Sequence, residues 1–262
     1  GEALGRVHNT NTDKVFEARF SMRSGKAQVS GEFIIPGVSG SGALVQLEYL
    51  DPGGARTGAL MPTNRMNDHV MLSDGQTINV CCVDATTPCV FVAAADLGLE
   101  ATENPLELES KLDVMTKLEE IRCQAGVLMG LGVTTQEIRE TSRAGPRIAV
   151  VAAPADMTLL DGSVLPAERM DLAVRMVSMG VPHRAVPLTG GMCLAVAANL
   201  QETLVHNLAR DKLATTVRLG SPSGVIPIGA TIRRDGGNLT VDRITTYRTA
   251  RRLMEGNVLI PG

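Results

Sequence analysis

Alternation of apolar and polar residues dominates the first hundred positions. Over residues 6–22 it reads as strands: Phe16, Ala18, Phe20 and Met22 fall on one face, with Glu17, Arg19 and Ser21 on the other. Ser24-Gly25-Lys26 reads as a turn. Ala43, Val45, Leu47 and Tyr49 alternate again, and Asp51-Pro52-Gly53-Gly54 ends that strand. Thr77 to Val83 and Cys89 to Ala93 are two β-rich apolar runs. The short polar loop Asp84-Ala85-Thr86-Thr87-Pro88 is expected between them.

The period lengthens at Asn104, an N-cap, with Pro105 at N1 and Glu107 placed for a capping box. Leu108, Leu112, Met115, Leu118, Ile121, Ala125 and Leu128 then recur at helical spacing. They predict one helix, stopped by Gly130 and Gly132, with Glu119, Glu120 and Arg122 on its solvated face. Arg147 to Ala153 and the run through Leu172, Val174 and Met176 return to strand.

The stretch Pro187 to Ala198 is different, being apolar at every position from Met192 onward. A helix apolar all round belongs in a core. Thr189 is its expected N-cap, and Gly190 and Gly191 leave its first turn open to a close ligand. Backbone N–H groups of Gly190, Gly191 and Met192 are therefore candidates for an anion site. Taken alone, the stretch reads at least as well as a buried helix behind a glycine turn. Beyond it, Thr215 to Leu219 and Val225 to Arg234 are extended, Asp235-Gly236-Gly237-Asn238 is a hairpin turn, and Leu239 to Tyr247 returns. Short, mainly antiparallel strands with two strong helices give an α+β class.

Composition narrows the chemistry. A net charge of −3, 2% aromatics and no Trp give no footprint for nucleic acid. Apolar runs are too short for a membrane helix. The glycine-rich loop Pro36 to Gly42 lacks the Lys-Ser/Thr of a P-loop, and no G-x-G-x-x-G opens a helix. Five cysteines and four scattered histidines fit neither a disulfide framework nor a metal site, which favours a reducing cytoplasm and no metal. Cys193, inside the apolar helix, reads as packing, as do Cys81, Cys82, Cys89 and Cys123. His183 either reaches a cleft or serves the structure. Arg248, Arg251 and Arg252 either attract an anion or form a solvated terminal segment.

Several stretches, in order, resemble the PrpF family of isomerases of unsaturated polycarboxylic acids. They include Asn9-Thr10-Asn11-Thr12, Asp51 to Leu60 with Met61-Pro62-Thr63, Val83-Asp84-Ala85, Asp96-Leu97-Gly98-Leu99, Leu118-Glu119 with Ile121-Arg122, and Met129-Gly130-Leu131. His183-Arg184-Ala185, Thr189-Gly190 with Cys193, Pro222-Ser223-Gly224 and Arg248 to Gly256 complete the set. The resemblance implies a diaminopimelate epimerase-like fold, two similar halves each wrapping strands around a central helix, with a cleft between them. Residues 1–85 would be a partial first half, 86–240 the second half with central helix 189–199, and 241–262 a segment returning to the first half.

The same resemblance implies cofactor-independent proton transfer, of the 2-methylaconitate cis-trans isomerase type. A 4-oxalomesaconate tautomerase and a methylitaconate isomerase are alternatives. Thr87, Pro88, Thr189, Gly190, Gly191, Met192, Ser221, Pro222 and Ser223 are the expected substrate-binding residues. The partner is a small polycarboxylate, with a homodimer allowed and neither nucleic acid nor membrane expected. The family's catalytic lysine and Cys-Gly-Asn motif have no match, since Lys14 and Lys26 stand elsewhere. Catalytic residues are thus unassigned, and the chain is expected to be a fragment. A remnant that only binds a small acid or a partner is the non-enzymatic alternative. Thr87, Pro62-Thr63-Asn64-Arg65 and Gly220-Ser221-Pro222-Ser223-Gly224 depart from the family pattern, and two of these loops are expected to face the cleft, which implies a substrate other than 2-methylaconitate.

Overall fold

The structure is a computed structural model that describes residues 1–10, 13–212, 214–236, 238–251 and 253–259. Strands β1 (Glu2–Asn9), β2 (Lys14–Arg23), β3 (Lys26–Ala27), β4 (Phe33–Ile34) and β5 (Ser41–Leu50) open the chain. β6 (Asp68–Met71), β7 (Thr77–Ala85) and β8 (Thr87–Ala93) lead to helices α1 (Pro105–Ser110), α2 (Leu112–Leu128) and α3 (Thr135–Thr141). β9 (Arg147–Ala152), β10 (Met157–Thr158), β11 (Val164–Leu165), β12 (Leu172–Ser178) and β13 (Val181–Pro182) precede helices α4 (Leu188–Asn199) and α5 (Leu204–Leu208). β14 (Thr216–Ser221), β15 (Gly224–Asp235) and β16 (Asn238–Ala250) follow.

Among the described residues, fourteen strands join one sheet, whose main order is β1-β2-β5-β16-β15-β14-β12-β9-β8-β7-β6. Pairing is antiparallel except at β8–β9 and β12–β14. From β7 to β16 this sheet curls around α4, and every residue from Gly190 to Ala198 is buried. Alternation sorts the side chains. Cys81, Val83 and Ala85 of β7 join the α4 core, whereas Val80 and Cys82 face the layer that holds Leu118 and Ile121 of α2. Burying the side chains of Met192, Leu194 and Val196 stabilises the fold by roughly 1.5–3 kcal/mol each.

The other end of the sheet is barely covered. No described residue before Gly42 is buried, and Leu4 and Val7 are exposed. Phe16, Phe20 and Phe33 are half-buried, and the first α-helix among the described residues begins only at Pro105. β16 ties the two regions, pairing with β15 and, from Arg243 to Ala250, with β5. β6 pairs with β7 and β7 with β8, and Cys81, Val83 and Ala85 of β7 share the core of α4.

Four local expectations need correction. The single helix is two, broken at Lys111, whose ψ of 75° leaves the helical region. Leu112 and Leu128 consequently face solvent. Asn104 caps the N–H of Leu106, but Glu107 pairs with Lys111. Arg122 is not on a solvated face: it is 3% exposed, forked onto Glu119, and donates to the carbonyls of Ser142 and Gly145. The polar loop before Cys89 shrinks to Thr86, because Asp84 pairs with Pro88 and Ala85 with Thr87 within the hairpin. Asn11, Thr12, Gly237 and Arg252, named in the motifs and turns above, lie outside the described residues. Among the described residues, no helix is long and apolar enough to cross a membrane.

Candidate functional site

The N-terminus of α4 is built differently from expectation. Pro187, extended at ψ 131°, is the N-cap, and its carbonyl accepts the N–H of Gly191 at 2.9 Å. The open donors of the first turn are therefore Leu188, Thr189 and Gly190. Gly191 has spent its N–H, and Met192 lies one residue deeper. The two glycines serve packing. A β-carbon on Gly190 would stand 2.2 Å from the Met176 sulfur, and one on Gly191 would stand 2.8 Å from Val186 and 2.9 Å from Ile228.

Thr189 is released from capping and used sideways. Its hydroxyl receives a hydrogen bond from Nη1 of Arg147 at 2.9 Å, and its carbonyl receives one from the Thr86 hydroxyl at 3.1 Å. Arg147 opens β9 and points its cation at the positive end of α4. That placement is electrostatically unfavourable unless an anion joins it. No carboxylate among the described residues pairs with Arg147, and its Nε is buried without a partner. Nε2 of His183 is buried without a partner as well. Burial, then the charge of Arg147, hold the His183 imidazole below its usual range and keep it neutral.

A cavity of about 150 Å³ lies against this helix end, lined by Thr189 and Met192 together with Thr86, Lys14, Phe16 and Tyr49. Thr86, at φ 70°, occupies the left-handed region that a β-branched residue rarely adopts. It is held there by its N–H to Pro52 and its hydroxyl to Thr189. Lys14 reaches Asp51 at 3.3 Å. Thr87 and Pro88 are in β8 and do not line this space. Ser221, Pro222 and Ser223 form the β14–β15 turn, also outside it. Their hydroxyls are committed to backbone: Ser221 donates to Gly224 and Ser223 to Arg184.

Arg147, Thr86 and Lys14 went unassigned in the sequence because only long-range pairing brings them to the end of α4 and the cavity beside it. Cys193 is fully buried, its thiol 3.3 Å from the Val83 carbonyl, and burial pushes that thiol well above its ordinary range. Among the described residues no cluster of His, Cys, Asp or Glu can hold a metal. A groove of about 950 Å³ lies on the α2 side, where Glu119, Glu120, Gln124, Arg139 and Arg143 share its wall with Leu112, Met115 and Met179.

The family model described as PrpF protein matches residues 3–261. The 3-methylitaconate isomerase of Eubacterium barkeri is 38% identical over 256 residues, which cover 97% of this chain and 66% of that protein. The 2-methyl-aconitate isomerase of Shewanella oneidensis is 32% identical over 264 residues, covering 100% of this chain and 66% of that protein. A crystal structure of methylitaconate-delta-isomerase superposes with a TM-score of 0.89 at 36% identity, over 98% of this chain and 66% of that one. The chain thus spans 66% of the length of these relatives. The fold is diaminopimelate epimerase-like. With a family model matched from residue 3 to residue 261, the chain belongs to the PrpF family.

Proposed function

We propose that this chain carries the α4 half of a cofactor-independent isomerase acting by proton transfer on an unsaturated di- or tricarboxylic acid, of the 2-methylaconitate cis-trans isomerase type. One observation carries the reading: the unpaired guanidinium of Arg147 and the open first turn of α4 converge on Thr189. Removing a proton beside an unsaturated acid generates an enolate-like anion, which fixed donors and a cation stabilise. Leu188, Thr189, Gly190 and Arg147 would hold a carboxylate, and Met192 would wall the cavity. Thr87, Pro88, Gly191 and the Ser221–Ser223 turn act in this reading as scaffold.

The relatives' names describe methyl-bearing unsaturated polycarboxylates, which supports that substrate class here. A methylitaconate isomerase and an oxalomesaconate tautomerase belong to the same reading. The bare face of β1, β2 and β5 supports the expectation that residues 1–50, with the returning end of β16, form part of a first half needing a further layer. A cytoplasmic setting, supported by five unpaired cysteines, and a homodimer complete the proposal. Calorimetric titration of mesaconate tests the site: Arg147→Gln is expected to weaken binding by about tenfold or more, as charge-assisted hydrogen bonds imply. Binding unchanged by that substitution would overturn it.

A further inference from the structure

A second cavity, of about 340 Å³, opens beside Leu188, the first residue of α4. Its walls are apolar, with Val186, Ile226 and Ile228 on one side and Phe33 and Pro36 on another. Its polar lining is Thr246, Tyr247 and Arg248 of β16 together with the exposed Arg169. Thr246 and Arg248 are two residues apart in a strand and so share a face. Thr246 is 1% exposed, and its hydroxyl has no hydrogen-bond partner. Buried hydroxyls are nearly always satisfied, so this one points to a missing acceptor or donor. No carboxylate among the described residues pairs with Arg248, yet its charge acts on the phenol of Tyr49 in the neighbouring cavity.

We infer that this cavity takes the distal carboxylate of the polycarboxylic acid, with Thr246 donating to one oxygen and Arg248 facing the other. The inference rests on the substrate class proposed above. Leu188 lines this cavity while Thr189, its neighbour in the helix, meets Arg147, so one molecule can span both places. A planar carboxylate suits the Thr246 hydroxyl and the Arg248 guanidinium in a mostly apolar surround. The hydrocarbon between the two carboxylates packs on Val186, Leu188 and Ile228.

Mesaconate and tiglate separate the two readings, because tiglate carries a methyl group where mesaconate carries its distal carboxylate. Titrated into the full 262-residue chain, mesaconate is expected to bind at least about tenfold more tightly than tiglate. Thr246→Val, which removes one hydroxyl and keeps the branched shape, and Arg248→Gln should each narrow that ratio about fivefold or more while leaving tiglate binding unchanged. Arg147→Gln should weaken both ligands alike. A ratio unmoved by Thr246→Val and Arg248→Gln, with both acids still bound, overturns this inference alone. Failure of the unsubstituted chain to bind either acid overturns it together with the proposed substrate class. Circular dichroism establishes that each variant is folded, and Thr246→Val decides the matter if Arg248→Gln is not.

Discussion

The sulfur of Met176 fills the space that a side chain on Gly190 would need, 2.2 Å from the position of its β-carbon. Met176 is itself 2% exposed, in a core that leaves it little room to move. Gly190→Ala is therefore expected to cost about 1–3 kcal/mol by overpacking. Combining it with Met176→Ala should cost less than the sum of the single changes, because the clash disappears. Urea unfolding of the four species measures the coupling, and strict additivity would show that the two do not press on each other.

Asp84 anchors the loop that precedes β6. Its Oδ2 accepts from the N–H groups of Arg56 and Thr57 and from the Thr57 hydroxyl, at 2.7–2.9 Å, in a fully buried setting. Hydrogen bonds to a charged group contribute about 1.5–3 kcal/mol each before compensation. Asp84→Ala is expected to lower the thermal midpoint by roughly 6–12 °C, taking about 3 kcal/mol as the net loss. A midpoint within a degree or two of the parent would show that water replaces the carboxylate at no cost.

His183 gives stability a pH dependence of predictable sign. Its folded-state pKa is depressed by burial and by Arg147, whereas the unfolded chain takes up the proton near pH 6.5. Stability from this group is thus fully present above about pH 6.5 and is lost as pH falls through the folded value. Unfolding free energies measured from about pH 7.5 down to about pH 5 should fall, and His183→Asn should flatten that slope. An anion at the α4 terminus should raise the His183 pKa, readable from its imidazole proton resonances. An unchanged titration on adding mesaconate would contradict the placement of that anion.

Catalysis by these 262 residues alone is expected to be slight. No residue has been assigned as the base, and the site is read as a holder of carboxylates. Proton NMR of 2-methylaconitate or methylitaconate with the purified chain in deuterated water checks this. Turnover matching a complete relative would place the base among these residues, with Lys14 the first to replace, since it lines the smaller cavity.

Backbone protection should also divide the sheet. β1 and β2 carry no buried side chains, whereas β7 and β8 are buried almost throughout. Amides of β1–β2 are expected to exchange much faster than those of β7–β8 under native conditions. Equal protection would mean that the sheet opens as one cooperative unit.

The sequence makes the strands and the buried helix legible because both signals are local. Alternation marks β2 and β5, a β-rich apolar run marks β7, and seven consecutive apolar residues mark α4. α3 and α5, of seven and five residues, are too short for periodicity to show, although Thr134 and Thr203 cap them. Thr189 has the chemistry of a cap, but Arg147, 42 residues away, claims its hydroxyl, and Pro187 starts the helix two residues earlier. Gly190 and Gly191 look the same in sequence whether a ligand or a methionine lies against them. The lining of both cavities depends on which strands become neighbours, and no local pattern encodes that.

The position of β16 has a consequence for how the molecule is made. β5, synthesised early, pairs with β2, β4 and β16, and of these only β16 connects it to the α4 core. Nearly two hundred residues separate Glu48 from Arg243, which meet as an ion pair. On the ribosome the apolar face of β5 must wait for nearly two hundred further residues before its native neighbour β16 emerges. Such non-local closure is slow, and the unpaired strand edges it leaves exposed invite association with other chains.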